Sequence, residues 1–173
     1  MMENKKIIKL IIYGIVEILL WAVTLKIYEI NVISIIYCIA ISILAAIAVI
    51  DWKTYQIPVA LNAAVGICGA AVMLIKGDEC RASHIAGMLV VSMPLLLIYI
   101  LTSGKVTGSG DVKLTAAIGL LLGMGGVVLA FLLGCLCGTV IHLLRNVLVK
   151  TESERGILPM GTYLAAGAII VIW

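Results

Sequence analysis

The chain has 173 residues, of which 64% are hydrophobic and only 12% charged, and a formal net charge of +3. A soluble domain carries roughly 25% charged residues, so this composition excludes an ordinary water-soluble domain. The small basic excess forms no stripe of the size that nucleic acid requires.

In chain order, apolar runs predict membrane-spanning helices at 7–27, 32–50, 59–75, 85–101, 112–125, 127–148 and 158–173. No period-2 strand pattern is present, and helices are the remaining way for such runs to satisfy their backbone inside lipid. The expected fold is therefore all-α: a polytopic bundle of about six to seven transmembrane helices forming one domain over 1–173. Lys5-Lys6 before the first run imitates a signal peptide, but the run is long and lacks a small-residue cleavage site, so a retained helix is expected. The connecting pieces are short: 28–31, 51–58, 76–84, 102–110 and 149–157.

The fifth and sixth runs are the ambiguous pair, separated only by Gly123-Met124-Gly125-Gly126. Lysine and arginine favour the cytoplasmic side, and that bias arbitrates. With seven spans, Lys5, Lys6, Lys9, Lys53, Lys105, Lys113, Arg145, Lys150 and Arg155 share the N-terminal side, against Lys26, Lys76 and Arg81. Merging 112–148 into one span removes the bias, so the seven-span topology is preferred.

Two acids stand at span boundaries, Asp51 in Ile50-Asp51-Trp52-Lys53 and Asp111 in Gly108-Ser109-Gly110-Asp111-Val112-Lys113-Leu114. Two full spans separate them, so the chain returns to the same side, and the charge bias makes that side the cytoplasm. Ionisable residues in such positions are functional candidates. Two neighbouring carboxylates that share a proton can hydrolyse a peptide bond: one, ionised, takes a proton from water, while the other polarises the carbonyl and protonates the leaving nitrogen. This chemistry calls for no cofactor and no metal. Gly108 and Gly110 permit positive φ and close approach of a second backbone, which an extended peptide substrate needs beside Asp111. Taken singly, either acid is more simply a helix-end charge; the pair carries the functional reading.

These residues resemble the type 4 prepilin peptidase family of membrane aspartic proteases. The resemblance rests on Asp51 followed by Ile57-Pro58, on the G-x-G-D-x-K-L run at 108–114, and on Ile157-Leu158-Pro159-Met160-Gly161-Thr162-Tyr163-Leu164-Ala165, similar to a Pro-aromatic-Gly run before the family's last helix. It covers a catalytic core of about 33–173. The resemblance implies an endopeptidase of a prokaryotic cytoplasmic membrane, with Asp51 and Asp111 catalytic. It also implies a prepilin or pseudopilin partner, whose short basic leader is cut on the cytoplasmic side just before its hydrophobic helix. There are two departures. Val59 stands where an asparagine often follows the Ile-Pro, with Asn62 one turn later. The cysteine-paired insertion linked to N-methylation in larger members is missing, which puts methyltransferase activity in doubt.

The remaining polar residues have plainer readings. Lys53 and Lys113 each follow an acid by two positions, which do not share a helix face; headgroup contact is expected, with a sharper role for Lys113 in receiving an acidic group of the substrate. Trp52 and Tyr55 fit interfacial anchors. Gly119/Gly123 and Gly134/Gly138 are small-xxx-small pairs for close helix packing. Glu17 and His142 are expected to hydrogen-bond between helices. The five cysteines form no C-x-x-C pair and read as packing residues, and His84 and His142 make no metal constellation. A proton-coupled transporter subunit and a non-catalytic pilus or secretion assembly factor are the rival functions.

Overall fold

The structure, a computed structural model, describes residues 2–148 and 159–173, the side chains of 2–12 and 145–148 excepted. The connecting piece 149–157, with Lys150 and Arg155 of the charge count, lies outside the described residues. So does Leu158, the first residue of the last expected span. The described chain is an all-α bundle: α1 (Met2–Tyr28), α2 (Val32–Thr54), α3 (Val59–Lys76), α4 (Asp78–Val90), α5 (Ser92–Leu101), α6 (Ser109–Leu148) and α7 (Met160–Ile172). Four described stretches are long and apolar enough to cross a membrane: Val32–Thr54, Val59–Lys76, Asp78–Leu101 and Ser109–Leu144.

Local chemistry sets the helix ends. Asn31 and Ser34 form a capping box that starts α2, and Tyr55 closes it in the left-handed region at φ 52°. Pro58, which has no N–H to leave unpaired, precedes α3. Pro94 cannot donate to the turn before it, and the helix breaks between α4 and α5 at Val91. The expected span 85–101 thus extends back to Asp78, and His84, assigned by sequence to a loop, is a buried residue of α4.

The path of α6 resolves the ambiguous pair. Its continuity is interrupted at Gly123, with φ 79° and ψ −179°, a conformation that only glycine adopts without strain. Before the break, the chain runs parallel to α3: Asn62 reaches Gly110, Gly66 faces Ala117, and Gly69 lies against Leu121. After it, the chain runs antiparallel to α7: Gly126 faces Val171, Gly167 lies against Ala130, and Gly134 against Tyr163 and Leu164. Since α7 begins beside Asp51 and ends beside Tyr28 and Thr24, the second arm of α6 returns to the end where the first began. Among the described residues the chain therefore makes seven passes, with α4 and α5 forming one and the arms 109–122 and 124–148 forming two. The turn is a single glycine rather than the four-residue break that the sequence pattern places at 123–126. At 1.5 Å per residue the first arm is about 21 Å long, shorter than the ~30 Å hydrocarbon core, so the reversal sits inside the bundle.

A buried reversal leaves backbone groups without intrahelical partners, and α4 supplies them. The Met124 N–H donates to Ser83 Oγ at 3.3 Å. His84 Nδ1 lies 2.7 Å from Leu120 O; a carbonyl only accepts, so Nδ1 carries the proton. Contact this close is possible because Gly87 and Gly119 face each other. A Cβ on Gly119 would lie 2.2 Å from Gly87 O, and one on Gly87 would lie 2.5 Å from the Gly123 carbonyl carbon. In lipid, helices gain little from hydrophobic burial against one another, and such small-residue contacts carry the packing. Around them Ile41, Leu44 and Ile47 of α2, Val65 and Val72 of α3, and Leu114, Ile118 and Leu121 of α6 are fully buried.

Gly87→Ala and Gly119→Ala should each destabilise the bundle by about 1–3 kcal/mol or more, because backbone lies on both sides of the added methyl. Gly125→Ala, with nothing within 4 Å of its Cβ position, should be neutral or slightly stabilising. Thermal unfolding in detergent measures the difference.

Candidate active site

Asp51 lies in the last turn of α2 and is only 4% exposed. A carboxylate taken from water needs donors, and the start of α7 provides them. The Thr162 N–H donates to Asp51 Oδ2 at 2.8 Å and also lies 3.2 Å from Pro159 O. The Thr162 hydroxyl sits 3.2 Å from the same Asp51 oxygen and 3.0 Å from Ala48 O, with one proton to share between the two acceptors. The side chain of α2 thus does for α7 what an N-cap residue does within one helix, meeting an orphan N–H at the positive end of the dipole. Gly161 makes room for this contact: a Cβ there would stand 3.0 Å from Asp51 Oδ2 and 2.5 Å from Ile57 Cδ1.

Asp111 is the third residue of α6 and is half-buried. Its Oδ2 accepts the Gly108 N–H at 3.3 Å, and its own N–H donates to Gly108 O at 3.2 Å. Neither Gly108 nor Gly110 has a positive φ; Gly104 does, at 74°, in the preceding loop. The Gly110 Cβ position lies 3.3 Å from Ile57 Cβ and that of Gly108 3.2 Å from Asp111 Oδ2. The immediate use of the two glycines is therefore close packing on Ile57 and on the acid itself, rather than the left-handed conformation considered from sequence. Asn62 fixes the loop from the other side, donating from Nδ2 to Gly110 O at 3.3 Å.

Ile57 joins the three sequence motifs, since its side chain meets the Cβ positions of both Gly110 and Gly161. With Ile57 wedged there, Asp51 and Asp111 border one cleft of about 540 Å³, together with Asn62, Thr107, Lys105 and Lys113. Asp51 is near enough for its charge to act on Asp111. Lys113 is exposed at the cleft, and Lys53 is exposed outside its lining. Among the described residues the one ion pair is Asp78 with Arg81, so neither lysine pairs with its neighbouring acid, in keeping with the two-residue spacing. Trp52 and Tyr55 are 55% and 51% exposed. Trp52 packs edge-on against Tyr163 at 6.4 Å, while Tyr55 lines the cleft. Gly134 and Gly138 lie against Tyr163 as close-packing residues, and His142 lines a separate cavity of about 480 Å³. No cluster of three metal-ligating side chains occurs among the described residues.

Thr162 was not singled out from sequence. The signal was present, a hydroxyl residue directly after a glycine in the first turn of an apolar helix, but its partner is 111 positions away. Asn62 was visible only as a misplaced asparagine. One turn of helix explains it, because from the first turn of α3 its side chain still reaches Gly110.

No match was found among curated proteins or among solved structures. Residues 38–143 match the family described as the type IV leader peptidase family. That match includes both acids, the Ile57-Pro58 wedge and the reversal at Gly123, and it covers more than half of the chain. The chain belongs to the type IV leader peptidase family.

Proposed function

We propose that this membrane protein is an aspartic endopeptidase that removes the leader from prepilins or pseudopilins, with Asp51 and Asp111 as its catalytic pair. The observation that carries this reading is that the two acids border one cleft at one end of the bundle although 59 intervening residues separate them. In the proposed reaction the pair holds a single proton. The ionised acid draws a proton from water as the water attacks the scissile carbonyl, and the protonated acid hydrogen-bonds the carbonyl oxygen. The tetrahedral intermediate then collapses as a proton passes to the leaving nitrogen, which returns the pair to its starting charge.

The Thr162 donors favour this scheme, because they hold one Asp51 oxygen by hydrogen bonds and leave the other free. A cytoplasmic orientation is supported by the excess of lysine and arginine assigned by sequence to the side of Asp51. A substrate whose hydrophobic helix lies in the bilayer would bring its leader to this end of the bundle. Lys105 and Lys113 beside the cleft suit an acidic group on such a substrate.

In a co-expression assay with a candidate prepilin, Asp51→Asn and Asp111→Asn should each reduce cleavage by at least about a hundredfold while insertion persists. Processing that survives both changes would eliminate the pair mechanism. Ion flux lost in these variants, with no cleavage by wild type, would support the transporter instead. Gly161→Val should abolish cleavage by driving Ile57 and Asp51 apart. Thr162→Val keeps the main-chain N–H and loses the hydroxyl, and should cost only about two- to tenfold in kcat. Lys113→Gln should raise KM for a substrate with an acidic residue near the cut and leave KM unchanged for its amide counterpart.

A further inference from the structure

Asn62 sits in the first turn of α3, 5% exposed, and borders the cleft that holds the two acids. Chemistry fixes which way its carboxamide points. The carbonyl of Gly110 can only accept, so the Asn62 atom 3.3 Å from it is Nδ2. Oδ1 is then turned away from that carbonyl. It is buried, and no described residue donates to it. Buried carbonyl oxygens are almost always paired, and this one belongs to a side chain already fixed at its other end.

A peptide laid along the cleft gives up the water on its main-chain N–H groups and needs acceptors in return. Lys105 and Lys113 can only donate, the two carboxylates are engaged by the chemistry, and Tyr55, Gln56 and Ser109, which also carry acceptors, are exposed to water. Asn62 Oδ1 is a buried amide acceptor with its capacity unused. We propose that Asn62 is a substrate-positioning residue whose Oδ1 accepts a main-chain N–H next to the scissile bond, while Nδ2 holds the peptide that carries Asp111. This inference rests on the peptidase reading and deepens it. Because solvent does not reach Oδ1, the residues that cover it shift aside as the peptide seats, while Nδ2 stays on Gly110 O. An amide that accepts at oxygen donates more strongly at nitrogen. Substrate binding thereby tightens the hold on Gly110 and fixes Asp111 at the moment it is needed.

The test is an ester scan. Synthetic substrate peptides carry a single main-chain ester in place of an amide at each position flanking the cut, the scissile bond excepted, and kcat/KM is measured for wild type and Asn62→Ala. One ester should cost wild type on the order of tenfold, and that same ester should cost Asn62→Ala nothing further. Losses that simply multiply at every position would reduce Asn62 to a structural residue and overturn the proposal. Asn62→Asp keeps an acceptor of the same shape and loses the donor to Gly110. It should turn over more slowly yet retain the ester penalty, and its loss of that penalty also overturns the proposal. This second variant serves where Asn62→Ala fails to fold. Failure of wild type to cleave the all-amide peptide, or cleavage that survives Asp51→Asn and Asp111→Asn, rejects the peptidase reading and takes this inference with it.

Discussion

A carboxylate buried at the end of a helix in an apolar bundle must be met by donors, and the contact between Thr162 and Asp51 meets that demand. It couples two elements far apart in sequence, the last turn of α2 and the first turn of α7. Each needs the other, since the helix start has spare N–H groups and the buried acid has spare lone pairs. Once they join, the surrounding geometry is narrowly set. Position 161 has no room for a side chain, and Ile57 fills the adjoining space and presses against Gly110. The G-x-G-D loop is thereby held beside Asp51 by packing, and from the opposite side by Asn62.

The same logic governs the other end of the bundle. A single glycine turns α6 back on itself inside the apolar region, and Ser83 and His84 of α4 take up the backbone groups that the turn releases. His84 is thus a polar residue with a structural task, and the contact of Gly87 with Gly119 brings α4 near enough to perform it. The return of the chain by this route also leaves the second arm of α6 free to pack along α7, which steadies the helix that holds Asp51.

Much of this was legible in the sequence. The apolar runs located the passes to within about five residues except the fourth, which begins seven residues before the expected 85, and the charge bias favoured two short passes over one long one at 112–148. Counting spans between Asp51 and Asp111 placed both at one end. What escaped depended on contacts between distant residues. Nothing local to Thr162 says that its N–H caps onto Asp51, and nothing local to His84 distinguishes a loop from a helix that braces a turn. The pattern Gly123-Met124-Gly125-Gly126 marks a break, but only the facing glycine of α4 shows why one residue suffices. The sequence pattern suggests positive φ for the glycines of the G-x-G-D run, but neither has it; Gly110 is instead pressed by Ile57, from another motif, and Gly108 by the Asp111 carboxylate.

The reversal at Gly123 and the buried acid differ in when, during synthesis of the chain, their partners become available. Ser83 and His84 emerge before the glycine whose turn they stabilise, so the hairpin of α6 can form against a helix that is already in place. Asp51 waits much longer. It is made in the second helix, but its main-chain donor belongs to the seventh. Until α7 arrives, the acid lacks the partner that orients it. The cleft is therefore completed by α7, and a nascent chain carries both carboxylates well before it carries that helix.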